Sequence, residues 1–165
     1  MGPLSLIRLG PVLQGEIKIR QADFAEPAVR ALLVDVLGEL SARYGGTGDD
    51  TPIAEDDFAA PNGAFFVADD GERLVGCAGW RRHGDDAELK RMFTATAVRG
   101  RGLGRRMLAA IEASAREAGC RRVILETGDK QPEAVGLYLS AGYERIEDFG
   151  YYKGHDSVLS YAKDL

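Results

Sequence analysis

Apolar positions along this chain follow two rhythms. Val29, Leu32, Leu33, Val36, Leu37 and Leu40 are separated by steps of three and four, the spacing of one helix face. Asp23 is placed to cap that helix, Pro27 suits its first turn and Gly45-Gly46 ends it. Met107, Leu108, Ile111, Ala115 and Ala118 repeat the pattern, predicting a second helix over Arg105 to Ala118 with Gly119 as its stop. Pro132 opens a third helix that runs to Gly142. The other rhythm is that of strands. Ile17 and Ile19 share a face over Glu16 to Arg20. Ala64 to Ala68 and Leu74 to Trp80 flank the turn Asp69-Asp70-Gly71-Glu72 and read as a hairpin. A second turn, His83 to Asp86, leads into a longer strand over Ala87 to Thr96. Val123-Ile124-Leu125 is unbroken apolar sequence, the mark of a strand covered on both faces. Tyr143 to Ile146 and Val158 to Ala162 read as the final strands.

The order is strand, helix, three strands, helix, strand, helix, two strands. It predicts an α/β (α+β) fold: a mixed sheet with helices on its faces. The 165 residues suit one domain over 15–165, with no internal repeat. Residues 1–14 contain Pro3 and Pro11, show no period, and are expected to form a flexible N-terminal arm. Between Gly45 and Asn62 the chain is acidic and irregular, apart from a short helix that Thr51-Pro52 opens and Phe58 closes.

Composition narrows the function. With 45% hydrophobic and 28% charged residues the chain is expected to fold rather than stay disordered. A net charge of −5 argues against a nucleic-acid partner. No apolar run approaches membrane-spanning length and the N-terminus is a poor signal peptide, so no membrane is expected and a cytoplasmic location is. Cys77 and Cys120 lack metal-ligand spacing; buried free thiols are favoured, with a disulfide left open and no metal expected. The positive charge is concentrated. Lys90, Arg91, Arg99, Arg101, Arg105 and Arg106 crowd one stretch of an acidic protein, which suggests a small anionic ligand.

That stretch surrounds the loop Arg99-Gly100-Arg101-Gly102-Leu103-Gly104, between a strand and a helix. Its glycines permit positive φ and close approach of a ligand, and the helix start offers unpaired N–H groups and a positive dipole end. A P-loop would end in Gly-Lys-Ser/Thr, and Arg105-Arg106 excludes it. A dinucleotide site needs Gly-x-Gly-x-x-Gly; the spacing here is Gly-x-Gly-x-Gly, although Glu126 does end the next strand, so that rival stays open beside an ordinary glycine-rich loop. A second motif lies downstream. Gln131, Ala134, Val135 and Tyr138 share one helix face, and Gly142-Tyr143 follows.

Together these motifs resemble the GNAT superfamily of acyl-CoA-dependent N-acetyltransferases. Arg99, Gly102 and Gly104 match its Gln/Arg-x-x-Gly-x-Gly/Ala motif, and Gln131, Ala134, Tyr138 and Gly142-Tyr143 match its Asn-Ala-Tyr pattern with Gln for Asn. The resemblance covers residues 16–165 in element order and is specific in 88–108 and 123–143. It implies a mostly antiparallel sheet splayed between the fourth and fifth strands. It implies acetyl-CoA as cosubstrate, with the pyrophosphate on the loop amides of Arg99 to Gly104 and near Arg105. The pantetheine arm would lie along Met92, Phe93 and Thr94, with further contacts from Gln131 and Ala134. Thr94 and Thr96 stand where a branched apolar residue and proline are common in the family. The resemblance also implies that the Tyr138 hydroxyl protonates the leaving thiolate, against the alternative of a core-packed tyrosine.

Glu88, eleven residues before Arg99, corresponds to the glutamate that serves some family members as base; a solvent-facing strand residue is the equal alternative. Glu126 is a second candidate, and His83 and His155 read as solvated loop residues. Neither cysteine sits in a nucleophile setting, so transfer by direct attack on a primary amine is expected. Asp49, Asp50, Glu55, Asp56 and Asp57 suit a cationic acceptor if they form an open rim, and otherwise form a solvated loop. Tyr44, Phe65, Trp80, Phe149, Tyr151 and Tyr152 are candidates for the acceptor pocket or the core. A non-catalytic acyl-CoA-binding sensor is the alternative function, and the family resemblance admits a homodimer.

Overall fold

The structure is a computed structural model that describes residues 16–46 and 48–165; the expected N-terminal arm lies outside the described residues. Strand β1 (Lys18–Gln21) is followed by helix α1 (Pro27–Tyr44) and a 3-10 turn at Glu55–Phe58. Three strands come next: β2 (Gly63–Asp69), β3 (Leu74–His83) and β4 (Asp86–Thr94). Beyond a 3-10 turn at Thr96–Val98 lie α2 (Leu103–Glu117), β5 (Arg122–Gly128), α3 (Pro132–Ser140), β6 (Glu144–Arg145) and β7 (Val158–Asp164). This is the order anticipated from the two rhythms. Some boundaries move. Asp23 does not cap α1: its Oδ1 accepts from the Ala25 amide in the turn before the helix, and Glu26 takes the cap position. β4 stops at Thr94 because Thr96–Val98 coils. Only the last four residues of the expected Thr51–Phe58 helix are helical.

The seven strands form one sheet in the order β1-β2-β3-β4-β5-β7-β6, antiparallel throughout except for the parallel pair β4–β5. Helix α1 covers one face, packing Val29, Leu32, Leu33 and Val36 with Phe58, Phe65 and Val67. Helices α2 and α3 cover the other, where Met107, Leu108 and Ile111 meet Trp80, Leu89, Val123 and Leu125. Val123, Ile124 and Leu125 are all buried, as an unbroken apolar strand requires. Both cysteines are buried free thiols.

β4 and β5 pair only at Ala87↔Val123 and Glu88↔Ile124, and then diverge. The cause is a bulge. The register runs from Gly79↔Lys90 to Cys77↔Phe93, so Arg91 and Met92 together oppose Ala78, and Arg91 takes a φ of 57°. A bulge bends its strand and sharpens the twist. It also breaks the alternation of side chains, so that Lys90 and Arg91, adjacent in sequence, both reach Asp49.

Candidate active site

Where β4 and β5 part, a cavity of about 830 Å³ opens through the sheet. Its two sides differ in construction. On the helix side lie the start of α2 and one face of α3. Gly100 and Gly102 both have φ 78° with open space around them. The first internal bond of α2 runs from the Arg106 amide to the Gly102 carbonyl at 3.1 Å, so the amides of Leu103, Gly104 and Arg105 have no partner within the helix. An anion is stabilised there by these donors and by the helix dipole. Gly104 also touches the other helix: a Cβ there would lie 2.8 Å from the end of the Leu137 side chain, so this glycine lets α2 sit close to α3 while it lines the cavity.

Met92, Phe93, Thr94, Arg99, Gly100, Gly102, Leu103, Gly104, Arg105, Gln131, Ala134 and Tyr138 all line the cavity, while Arg101 does not. The arginines divide the work. Arg99 donates through Nε to the Thr94 carbonyl and through Nη2 to Glu39 of α1, both at 2.9 Å, so it buttresses the loop. Arg105 donates to Ser140 Oγ at 2.7 Å, tying α2 to the end of α3. Arg106 turns away to the Ile17 carbonyl. Gln131 occupies the cap position of α3 without a side-chain cap bond. Tyr138 is 7% exposed, and burial pushes its hydroxyl well above the usual phenol range. The hydroxyl stays protonated across the working pH range, and no described residue shares a hydrogen bond with it.

The loop side is held by side chains from distant parts of the chain. Asp49 lies at its centre. Oδ1 accepts from the Thr51 amide (3.0 Å), the Thr51 hydroxyl (2.6 Å) and the Tyr152 hydroxyl (2.7 Å). Oδ2 faces Arg91 in an ion pair and Lys90 at 3.5 Å. Burial alone would raise this carboxyl; Lys90, Arg91 and the hydroxyl donors outweigh it and hold the pKa down to about 2. The Tyr152 hydroxyl also accepts from the Asp50 amide, so the segment after α1 is tied to the loop before β7. Glu126, at the mouth of β5, accepts from the Tyr152 amide through Oε2 at 3.0 Å. Its Oε1 is enclosed without a partner, against Gly150, where any side chain would strike the carboxylate. Burial raises its pKa, the Tyr152 amide opposes that, and Lys90 opposes it too.

Glu88 is elsewhere. It is 3% exposed, outside the cavity wall, and its carboxylate accepts from Arg81 Nε at 2.8 Å. Arg81 also binds Asp57 and the Pro52 carbonyl, so the group braces the acidic segment. The expected acidic rim is largely spent in this way. Asp57 caps the Ala54 amide, Glu55 lies 3.8 Å from Arg30, and Asp49 is buried in its own cluster. Tyr44 and Tyr152 line the cavity, whereas Phe65 and Trp80 are core, Phe149 stacks edge-on against His83, and Tyr151 is exposed. His155, which reads from sequence as a solvated loop residue, is in the cavity wall with its ring 5.5 Å from Tyr152. Lys90, Arg91 and His155 were not separable as wall residues by any local pattern; the bulge and the tertiary fold put them there. Among the described residues no group of His, Cys, Asp or Glu is arranged to hold a metal, and no helix is long and apolar enough to cross a membrane.

Comparison with known proteins fits this architecture. Residues 33–143 match the acetyltransferase (GNAT) family. The chain is similar to an IAA acetyltransferase from Azospirillum brasilense, 38% identical over 65% of this chain and 71% of the relative. It is also similar to the uncharacterized N-acetyltransferase YjgM of Escherichia coli, 31% identical over 68% of this chain and 74% of that protein. Among solved structures, an acetyltransferase from Streptococcus agalactiae superposes with a TM-score of 0.72 at 26% identity, covering 92% of this chain and 99% of the other.

Proposed function

The chain belongs to the acetyltransferase (GNAT) family, whose members transfer acyl groups from acyl-CoA, and on that footing we propose that it moves an acetyl group from acetyl-CoA to a primary amine by direct attack. One observation carries the reading: the split between β4 and β5 opens onto both a glycine-capped helix start and a buried, protonated tyrosine. The unpaired amides at the start of α2 suit the pyrophosphate. The free edge of β4 at Met92, Phe93 and Thr94 suits the amides of the pantetheine arm.

In the proposed step the amine nitrogen bonds to the thioester carbonyl carbon and the C–S bond breaks as the tetrahedral adduct collapses. Tyr138 gives its proton to the departing sulfur, which its place in the cavity wall and its lack of a competing bond support; burial keeps the hydroxyl protonated until the thiolate leaves. The proton lost by the amine goes to Glu126. This assignment is preferred to Glu88 because Glu126 lines the cavity and has no cation bonded to it, whereas Glu88 lies outside the cavity wall and is committed to Arg81. Measuring thiol release from acetyl-CoA over a panel of primary amines tests the proposal. Binding of acetyl-CoA without thiol release from any amine would replace it with the sensor reading.

A further inference from the structure

The Arg91 guanidinium is a buried charged group that the proposed chemistry leaves unused. It lies in the cavity wall with only 8% of its side chain exposed, on a residue held at positive φ by the bulge. Of its five N–H donors, one set at Nη1 meets Asp49, and no described residue accepts from Nε or Nη2. Lys90, 6% exposed, is beside it and shares the same carboxylate. Asp49 is saturated by Thr51, Tyr152 and the two cations, so it has nothing further to offer them. Lys90 also donates to the Thr51 hydroxyl at 3.0 Å and feels the Glu126 carboxylate, so Arg91 is the cation of the pair with donors left over for a ligand in the cavity. Desolvated cations are costly unless an anion completes them.

The proposed pyrophosphate site at the start of α2 lies on the opposite side of the split, so that anion does not reach Arg91. Glu126 is on the same side as Arg91, with Leu125 of the same strand facing the helices. A ligand with an amine toward Glu126 and an anion toward Arg91 therefore spans this side alone. A planar carboxylate matches the fork of a guanidinium with two N–H groups free. We propose that the acceptor is an amine bearing a carboxylate, such as a free amino acid, and that Arg91 with Lys90 reads the carboxylate. This rests on the acetyl-transfer reading, and it differs from the cationic acceptor that an open acidic rim would have suited.

The test uses the unaltered enzyme and acetyl-CoA, with free amino acids, the matching amino-acid amides, and spermidine as amines, followed by thiol release. At least one amino acid should be turned over, and its amide should show kcat/KM lower by about 100-fold, chiefly through KM, as loss of a charged hydrogen-bond partner predicts. Arg91→Gln should close most of that gap while acetyl-CoA affinity, measured by calorimetry, is unchanged. Equal turnover of acid and amide, or preference for spermidine, overturns the carboxylate assignment and leaves acetyl transfer standing. An Arg91→Gln variant that binds acetyl-CoA yet slows acid and amide alike also overturns it. Absence of thiol release with every amine removes the transfer reading itself and this assignment with it. The acid-to-amide comparison stands on the unaltered enzyme even if the variant does not fold.

Discussion

The two sides of the split sheet are built by different means. On the helix side, Tyr138 apart, the groups offered to the cavity are backbone: amides freed by the geometry of a helix start and the open edge of β4. Its parts come from short windows, 92–105 and 131–138. On the loop side it is carried by side chains brought from afar. Tyr152 reaches Asp49 across 103 residues and Arg91 reaches it across 42. A backbone cradle tolerates substitution at most of its positions. A side-chain cluster can be redesigned by changing one of its members.

Removing the proposed proton donor should produce the largest effect. Tyr138→Phe keeps the ring that packs 5.8 Å from Tyr143. Turnover should fall by roughly 10²–10⁴, the range for a lost general acid, with acetyl-CoA affinity unchanged. Unchanged kcat would show that the helix side only binds. Across the split, Glu126→Gln should lower kcat/KM by about 100-fold. Here the pH dependence has a definite sign. Burial raises the pKa of Glu126, so in the native enzyme kcat/KM should fall as pH drops through that raised value and the carboxylate becomes protonated. The Gln variant should lack this acidic limb. Retention of the limb at the same pH would move the base elsewhere.

The same division explains what was readable from sequence. The order of elements and the helix side were legible because they depend on local period and fixed spacing: Gln131, Ala134 and Tyr138 fall on one face wherever a helix forms. Gly104 was legible as a cavity glycine, but its contact with Leu137 was not, since that residue lies 33 positions later. The loop side was not legible. Asp49 and Asp57 look alike in an acidic run, yet one anchors the cavity wall and the other braces Arg81. Glu88 matched a family position, and only the register with Arg81 across the strand pair shows where its carboxylate points. The bulge at Arg91 has no glycine to announce it, so the placement of Lys90 and Arg91 on one side could not be read from alternation.

Asp49→Asn gives an intermediate effect, on stability rather than rate. The carboxyl has a folded pKa of about 2 against a reference of 3.8. A lowered folded value means stability that is present above the unfolded pKa and lost as pH falls through the folded one. The native protein should therefore exceed the variant by about 2 kcal/mol at neutral pH. That margin should shrink between pH 4 and pH 2, where the group takes up its proton, leaving the two unfolding curves together at the acid end. A constant margin at all pH values would mean that Asn fails by shape, not by charge, and that the loop side is less electrostatic than the geometry indicates.

The smallest effect separates two arginines of one motif. Arg99 is locked to Glu39 and the Thr94 carbonyl, and Arg101 is exposed, with no described residue paired to it. Arg99→Gln should lower stability by about 0.5 kcal/mol, as for a partly exposed pair, and raise the KM for acetyl-CoA through a looser loop. That rise should be insensitive to salt. Arg101→Gln should leave the melting temperature unchanged and raise the same KM two- to threefold at low ionic strength only, because an exposed charge acts on a phosphate through a field that salt screens. The arginines would thus differ in the salt dependence of KM more than in its size. If both variants respond to salt alike, Arg99 contacts the coenzyme directly, and the helix side uses charged side chains as well as backbone to hold its ligand.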